Sequence, residues 1–118
     1  MKFGVVVLEG PYQHEAADSA YQFVQAARAR DHEIVGIFFY MDGIHNANKF
    51  QKPPGERNLS ALWSKLHEES GVDCVACVAG STWRGMNEDI ALPGFRIAGL
   101  GQLAMIIQNA DRVITFGG

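Results

Sequence analysis

"VDCVACVAGSTWRG", residues 72–85, decides how the chain is read. Residues 72–79 are apolar apart from Asp73 and rich in valine, and Gly71 and Gly80 bound them, so they predict a strand buried on both faces. Beyond Gly80 the composition turns polar, and Ser81 or Thr82 is placed to cap a short helix. A doubly buried strand running into a helix start is the unit of an α/β domain.

The flanking sequence repeats that unit. "FGVVVL", residues 3–8, is a second doubly apolar run, and after Gly10 and Pro11 the residues Ala17, Ala20, Tyr21, Val24 and Ala27 recur at helical spacing. "EIVGIFFY", residues 33–40, is β-branched and aromatic and reads as a strand. The connection "MDGIHNANKFQKPPGER" holds two prolines and two glycines, which forbid a long helix. Leu59, Leu62, Trp63 and Leu66 then form an apolar stripe behind an N-cap at Asn58, with Gly71 to end the helix. After residues 72–79 come a short extended stretch "FRI", a helical face of Leu100, Leu103, Ala104 and Ile107, and a last strand at residues 113–116. The alternation predicts one α/β domain over residues 1–118, built on a mainly parallel sheet.

Composition excludes several functions. The net charge of −3 supplies no basic face for nucleic acid. The apolar run near the N-terminus is interrupted by Glu9, too short for a secretory leader or a membrane span. The expectation is a cytoplasmic chain with no membrane and no direct nucleic-acid partner. In a reducing compartment the two cysteines, Cys74 and Cys77, argue for a thiol or for plain packing rather than for a structural disulfide.

CxxC dithiols work where both sulfurs share the first turn of a helix. In a strand, positions i and i+3 face opposite ways, so Cys74 and Cys77 are expected to diverge. A zinc site is short of ligands, because His14, His32, His45 and His67 are scattered singly; no metal and no other cofactor is expected. Cys74 lies within the strand and reads as a small core hydrophobe. Cys77 lies near the carboxyl end, where α/β sheets collect reacting groups, and a helix start with Arg84 nearby would favour its thiolate. An inert core cysteine stands beside that reading on equal terms. His14, after the first strand, either helps hold a thiolate or is a solvated helix-start residue, and Asp42 and His45 are equally open.

"GLGQLA", residues 99–104, matches a dinucleotide-loop outline, but the acidic residue about twenty positions on is missing because the sequence ends at Gly118. The glycines read better as allowing close packing of the last helix. Nucleotide binding stands as the alternative function, beside a non-catalytic assembly subunit.

The segments "GPYQHEAADSAYQFVQAA", "HEIVGIFFYMDGIHNANK", "CVAGSTWRGM" and "FRIAGLGQLAMIIQNADRVITFGG" resemble the DsrE/TusD family of small sulfur-relay proteins over nearly the whole chain, with details nearer DsrE. The resemblance implies a flavodoxin-like or Rossmann-like three-layer α/β fold and sulfurtransferase chemistry in sulfur oxidation or tRNA thiolation. It places Cys77 at the family's persulfide position and leaves Cys74 outside the motif; His14, Ser81 and Arg84, from the reading of the residues above, are the candidate supporting residues. It also implies DsrF/TusC-like and DsrH/TusB-like subunits in a heterohexamer and a DsrC/TusE-like sulfur acceptor. Two features depart from the family pattern. The connection "NEDIALPG", residues 87–94, is about ten residues shorter than in DsrE-like relatives. Trp83 stands where the family more often has a small or polar residue; it reads as a packed apolar side chain, with an interface role as the other option. Together "GIFFYM" and Trp83 supply more aromatic surface than a small domain buries, which predicts an oligomer, homomeric if the related subunits are absent.

Overall fold

The computed structural model describes residues 1–55 and 57–118. Five strands, β1 (Lys2–Val7), β2 (Glu33–Phe39), β3 (Cys74–Cys77), β4 (Phe95–Ala98) and β5 (Arg112–Phe116), form one sheet in the order β4-β3-β2-β1-β5. Every pairing is parallel. Among the described residues four helices accompany them: α1 (Ala16–Ala29), α2 (Leu59–Ser70), α3 (Val78–Trp83) and α4 (Leu100–Asn109), with a 3-10 segment at Met41–Ala47. This is the three-layer α/β architecture read from the sequence.

The order explains the layering. From β1 to β4 the chain steps across the sheet one way, and from β4 it returns past three strands to β5, so right-handed crossovers put the returning helix on the opposite face. The α1 and α2 side chains Ala17, Ala20, Tyr21, Val24, Leu59, Trp63 and Leu66 pack with Val5, Val7, Ile37 and Phe39 on one face. Ile106 of α4 packs with Phe38, Val75 and Cys77 on the other. Its close approach depends on two strand glycines. A Cβ at Gly4 would stand 2.6 Å from Ile106, and one at Gly36 2.9 Å.

Local signals act as read at α2, where the Asn58 side chain accepts from the Ala61 N–H and Gly71 closes the helix at φ +75°. Other readings change. Strand β3 stops at Cys77 and the helix begins at once, so Ser81 lies in the second turn of α3 and does not cap it. Of the stripe Leu100, Leu103, Ala104 and Ile107 only Leu103 packs inward, half-buried against the cluster of Ile106, the one buried residue of α4. With apolar residues on more than one side of the helix, periodicity alone could not say which side meets the sheet. Gly99 and Gly101 do not serve close packing, since a Cβ at either meets nothing within 4 Å. "GIFFYM" is not surplus surface: Ile37, Phe38 and Phe39 are fully buried, and Met41 alone of the six is exposed.

Candidate functional site

The carboxyl ends of β2, β3 and β4 converge where the α2 and α4 connections leave the sheet on opposite faces, the usual place for a ligand in an open α/β sheet. A pocket of about 160 Å³ lies there. Tyr40 and Met41 come from the end of β2, Cys77, Val78, Ala79, Gly80 and Trp83 from the β3–α3 turn, and Gly99 and Leu100 from the β4–α4 turn. Apart from the Cys77 thiol and the Tyr40 phenol, no ionisable side chain among the described residues lines it.

Cys77 is the last residue of β3 and the N-cap of α3, with extended backbone (φ −62°, ψ 126°). It is 2% exposed and packs within the cluster on the α4 face. Cys74 packs into the opposite cluster, beneath α1 and α2, so the two thiols diverge as strand alternation requires. Burial, with Asp73 adding to it, pushes the Cys74 thiol up to about 12. Near neutral pH Cys74 is therefore a neutral thiol without a thiolate fraction to react. Both cysteines are free.

The other sequence candidates divide. Ser81 is buried one helical turn after Cys77, and its hydroxyl is the one buried side-chain polar atom without a hydrogen-bond partner among the described residues. Arg84 closes the other end of α3, but its guanidinium is engaged elsewhere. Nε donates to Asp42 Oδ1 at 2.7 Å and Nη1 to the Gly80 carbonyl at 3.2 Å. The Arg84 hydrogen bond holds the Asp42 carboxyl below its ordinary range. His14 is exposed, lies 3.3 Å from Glu9 Oε1, and borders a separate polar hollow with Tyr12, Asp18 and Arg57. It does not line the Cys77 pocket. His45 sits in the 3-10 segment against Gly10. Among the described residues no group of three or more His, Cys, Asp or Glu is placed to hold a metal ion.

Trp83 is not packed away. It is 79% exposed and stands on the rim of the pocket beside Leu100, which is 53% exposed. The pocket walls Tyr40, Met41 and Leu100 were not singled out from the sequence as site residues. The signal that could have found them is topological, because each follows the end of a parallel strand. The connection at residues 87–94 folds back on the end of the 3-10 segment: the Lys49 N–H donates to the Ile90 carbonyl, and the Leu92 N–H to that of Ala47, each at 2.8 Å. None of its residues lines the Cys77 pocket.

The model of the DsrE/DsrF-like family matches residues 1–116. The chain belongs to that family. Among DsrE/DsrF-like relatives, the DsrE protein of Allochromatium vinosum is 42% identical, with 99% of each chain aligned. The sulfurtransferase TusD of Cronobacter sakazakii is 35% identical over 98% of this chain and all of its own, and the TusD homolog of Pseudomonas aeruginosa 38% identical over 100% and 98%. The alignment to the Allochromatium protein spans 129 positions against 118 residues here, so that relative carries residues this family member lacks. The crystal structure of the ychN protein from E. coli shares the fold, with a TM-score of 0.85, 24% identity, and 98% of this chain and 100% of that one covered.

Proposed function

We propose that this DsrE/DsrF-like protein is a sulfur-relay sulfurtransferase that carries sulfane sulfur as a persulfide on Cys77. The observation behind the reading is the contrast between the thiols: Cys77 stands at a strand end in a pocket, whereas Cys74 is sealed in the opposite core with a raised pKa. Relatives named as sulfurtransferases align with almost the whole chain.

The chemistry needs a single thiol. The Cys77 thiolate attacks the outer sulfur of a donor persulfide R–S–SH; the donor's S–S bond breaks, a new one forms to Cys77, and the donor leaves as R–S⁻. Cys77–S–SH then yields its outer sulfur to an acceptor thiolate in the same way and is restored as thiolate. No net electron transfer occurs, and no metal is called for. Exchange of this kind depends on thiolate fraction, nucleophilicity and access. The apolar walls shield the persulfide from small oxidants between the two steps.

The partners consistent with this role are DsrF/TusC-like and DsrH/TusB-like subunits in a heterohexamer and a DsrC/TusE-like acceptor, in the cytoplasm, where thiols stay reduced. No helix among the described residues is long and apolar enough to cross a membrane. Nucleotide binding is the weaker reading, because the Gly99–Leu100 turn opens onto the cysteine pocket. Mass spectrometry after incubation with a sulfane-sulfur donor tests the assignment. One added sulfur is expected on the wild type and on Cys74→Ser, and none on Cys77→Ser. Equal loss in both variants would restore the dithiol reading.

A further inference from the structure

Cys77 has a pocket but almost no exposure, so sulfur exchange requires the pocket to open. The wall contributed by the 3-10 segment is the part whose geometry is held under tension. Met41, its first residue and part of the lining, has φ +51°, in the left-handed region that an unbranched non-glycine residue keeps only when neighbouring contacts hold it there. Those contacts are visible. The Gly43 N–H donates to the Tyr40 carbonyl at 2.8 Å across the turn, and the Asp42 carboxylate takes the 2.7 Å bond from Arg84 Nε. The same guanidinium holds the Gly80 carbonyl of α3, and Gly80 lies against the Met41 carbonyl and Ile44. One side chain thus ties the helix that starts at Cys77 to the turn that presents Met41.

The remainder of the 3-10 segment is anchored independently. Buried Asn46 donates to the Glu9 and Gly43 carbonyls and accepts from Trp63 Nε1 at 3.1 Å. If the Asp42–Arg84 bond breaks, the Asn46 anchor remains while Met41 is free to leave its strained conformation. The tie is of a kind that can open. Both partners are partly solvated, so salt screens the pair, and neither is sealed in the core.

We infer that the Asp42–Arg84 pair is a latch that holds Met41 over the Cys77 pocket, which makes both of them positioning residues that set how readily the thiol is reached. The inference rests on Cys77 being the reacting thiol of the relay. In this reading Arg84 acts through Asp42 and Met41, and not by stabilising the Cys77 thiolate itself.

The readout is the rate at which Cys77 in the intact protein is alkylated by uncharged N-ethylmaleimide, followed by peptide mass spectrometry across a pH series. It is independent of sulfur loading, so a failure of the carrier assignment and a failure of the latch are separate results. Asp42→Asn and Arg84→Gln are each expected to raise the plateau rate several-fold to a similar level, with no further gain in the double variant and with the pH midpoint unmoved. Asp42→Glu should restore most of the wild-type rate, and Arg96→Gln, which breaks the remote pair with Asp73, should leave it unchanged. Raising the salt concentration on the wild type should also speed alkylation, a measurement that needs no variant to fold. Unchanged rates in both variants and in salt would overturn the latch. So would a shifted midpoint in Arg84→Gln with no rate change in Asp42→Asn, which would make Arg84 a direct electrostatic partner of the thiol.

Discussion

The two faces of the sheet carry one cysteine each, and they are built to opposite standards. On the Cys74 face two helices of 14 and 12 residues cover β1, β2 and β3 with interlocking aromatics, Trp63 standing edge-on to both Tyr21 and Phe39. On the Cys77 face one ten-residue helix, α4, does the covering and leaves Leu100, Met105 and Ile107 exposed, with Trp83 exposed at the pocket rim. The same residue type is therefore a sealed core thiol on one side and, on the other, a buried thiol that borders a pocket. Strand alternation sends the two thiols to opposite faces, and the pocket at the strand end distinguishes Cys77.

The sharpest way to break the comparison is to place a charge where Cys74 stands. Cys74→Asp puts a carboxylate into a fully buried position within an apolar cluster, and a cost of about 3–5 kcal/mol is expected from an uncompensated buried charge. Cys77→Ser should change stability by less than about 1 kcal/mol, because the pocket leaves its side chain next to open space. Chemical denaturation of both variants checks the pair, and an unmoved midpoint for Cys74→Asp would contradict the sealed face.

Alkaline pH probes the same thiol without charge insertion. The pKa of Cys74 rises on folding from 9.0 to about 12, so the fold favours the neutral form. Its contribution is fully present below pH 9.0 and is lost as pH climbs toward 12, by on the order of 4 kcal/mol at the upper end. The difference in unfolding free energy between wild type and Cys74→Ala should therefore narrow across that window. A constant difference would place Cys74 in contact with water.

Helix α4 carries the comparison in two adjacent residues. Ile106 fills the space above Gly4 and Gly36, and Ile106→Ala is expected to cost about 2–4 kcal/mol. Ile107, 51% exposed, should cost under about 0.5 kcal/mol as alanine. Equal losses would mean that α4 is rotated relative to the sheet.

Much of the fold was readable because strands buried on both faces, an Asn cap and a Gly stop are local signals. The failures have a common physical origin. Helix α4 has no charged residue, so its hydropathy lacks the polar side that would have oriented it. Trp83 read as core because exposing an indole is costly unless something covers it. At the site, the motif placed Cys77 on its pocket, but Arg84 was read as an anion's partner when its carboxylate partner, Asp42, is remote in sequence and adjacent only after folding. His14 shares the carboxyl edge of the sheet with Cys77, yet β2 stands between their strands. Edge membership follows from topology, whereas side-chain contact does not.

The smallest effect on the isolated fold is paired with the largest on assembly. Leu100, Met105 and Ile107 are each more than half exposed on α4, and Leu100 lines the Cys77 pocket together with the exposed Trp83. An uncharged helix whose Leu100 end borders the proposed persulfide site offers apolar area for a subunit interface to bury. We therefore expect the purified chain to self-associate through α4 when its related subunits are absent. A double change, Met105→Glu with Ile107→Glu, should shift unfolding of the dissociated chain by no more than about 0.5 kcal/mol per site, since neither side chain is buried in it. The same change should reduce the assembly to a 12.9 kDa monomer in light scattering at micromolar concentration, because like charges would face each other across the contact. A wild type that is already monomeric would leave the α4 surface to a related subunit, and co-expression with one should then protect Cys77 from alkylation in the wild type but not in the double variant.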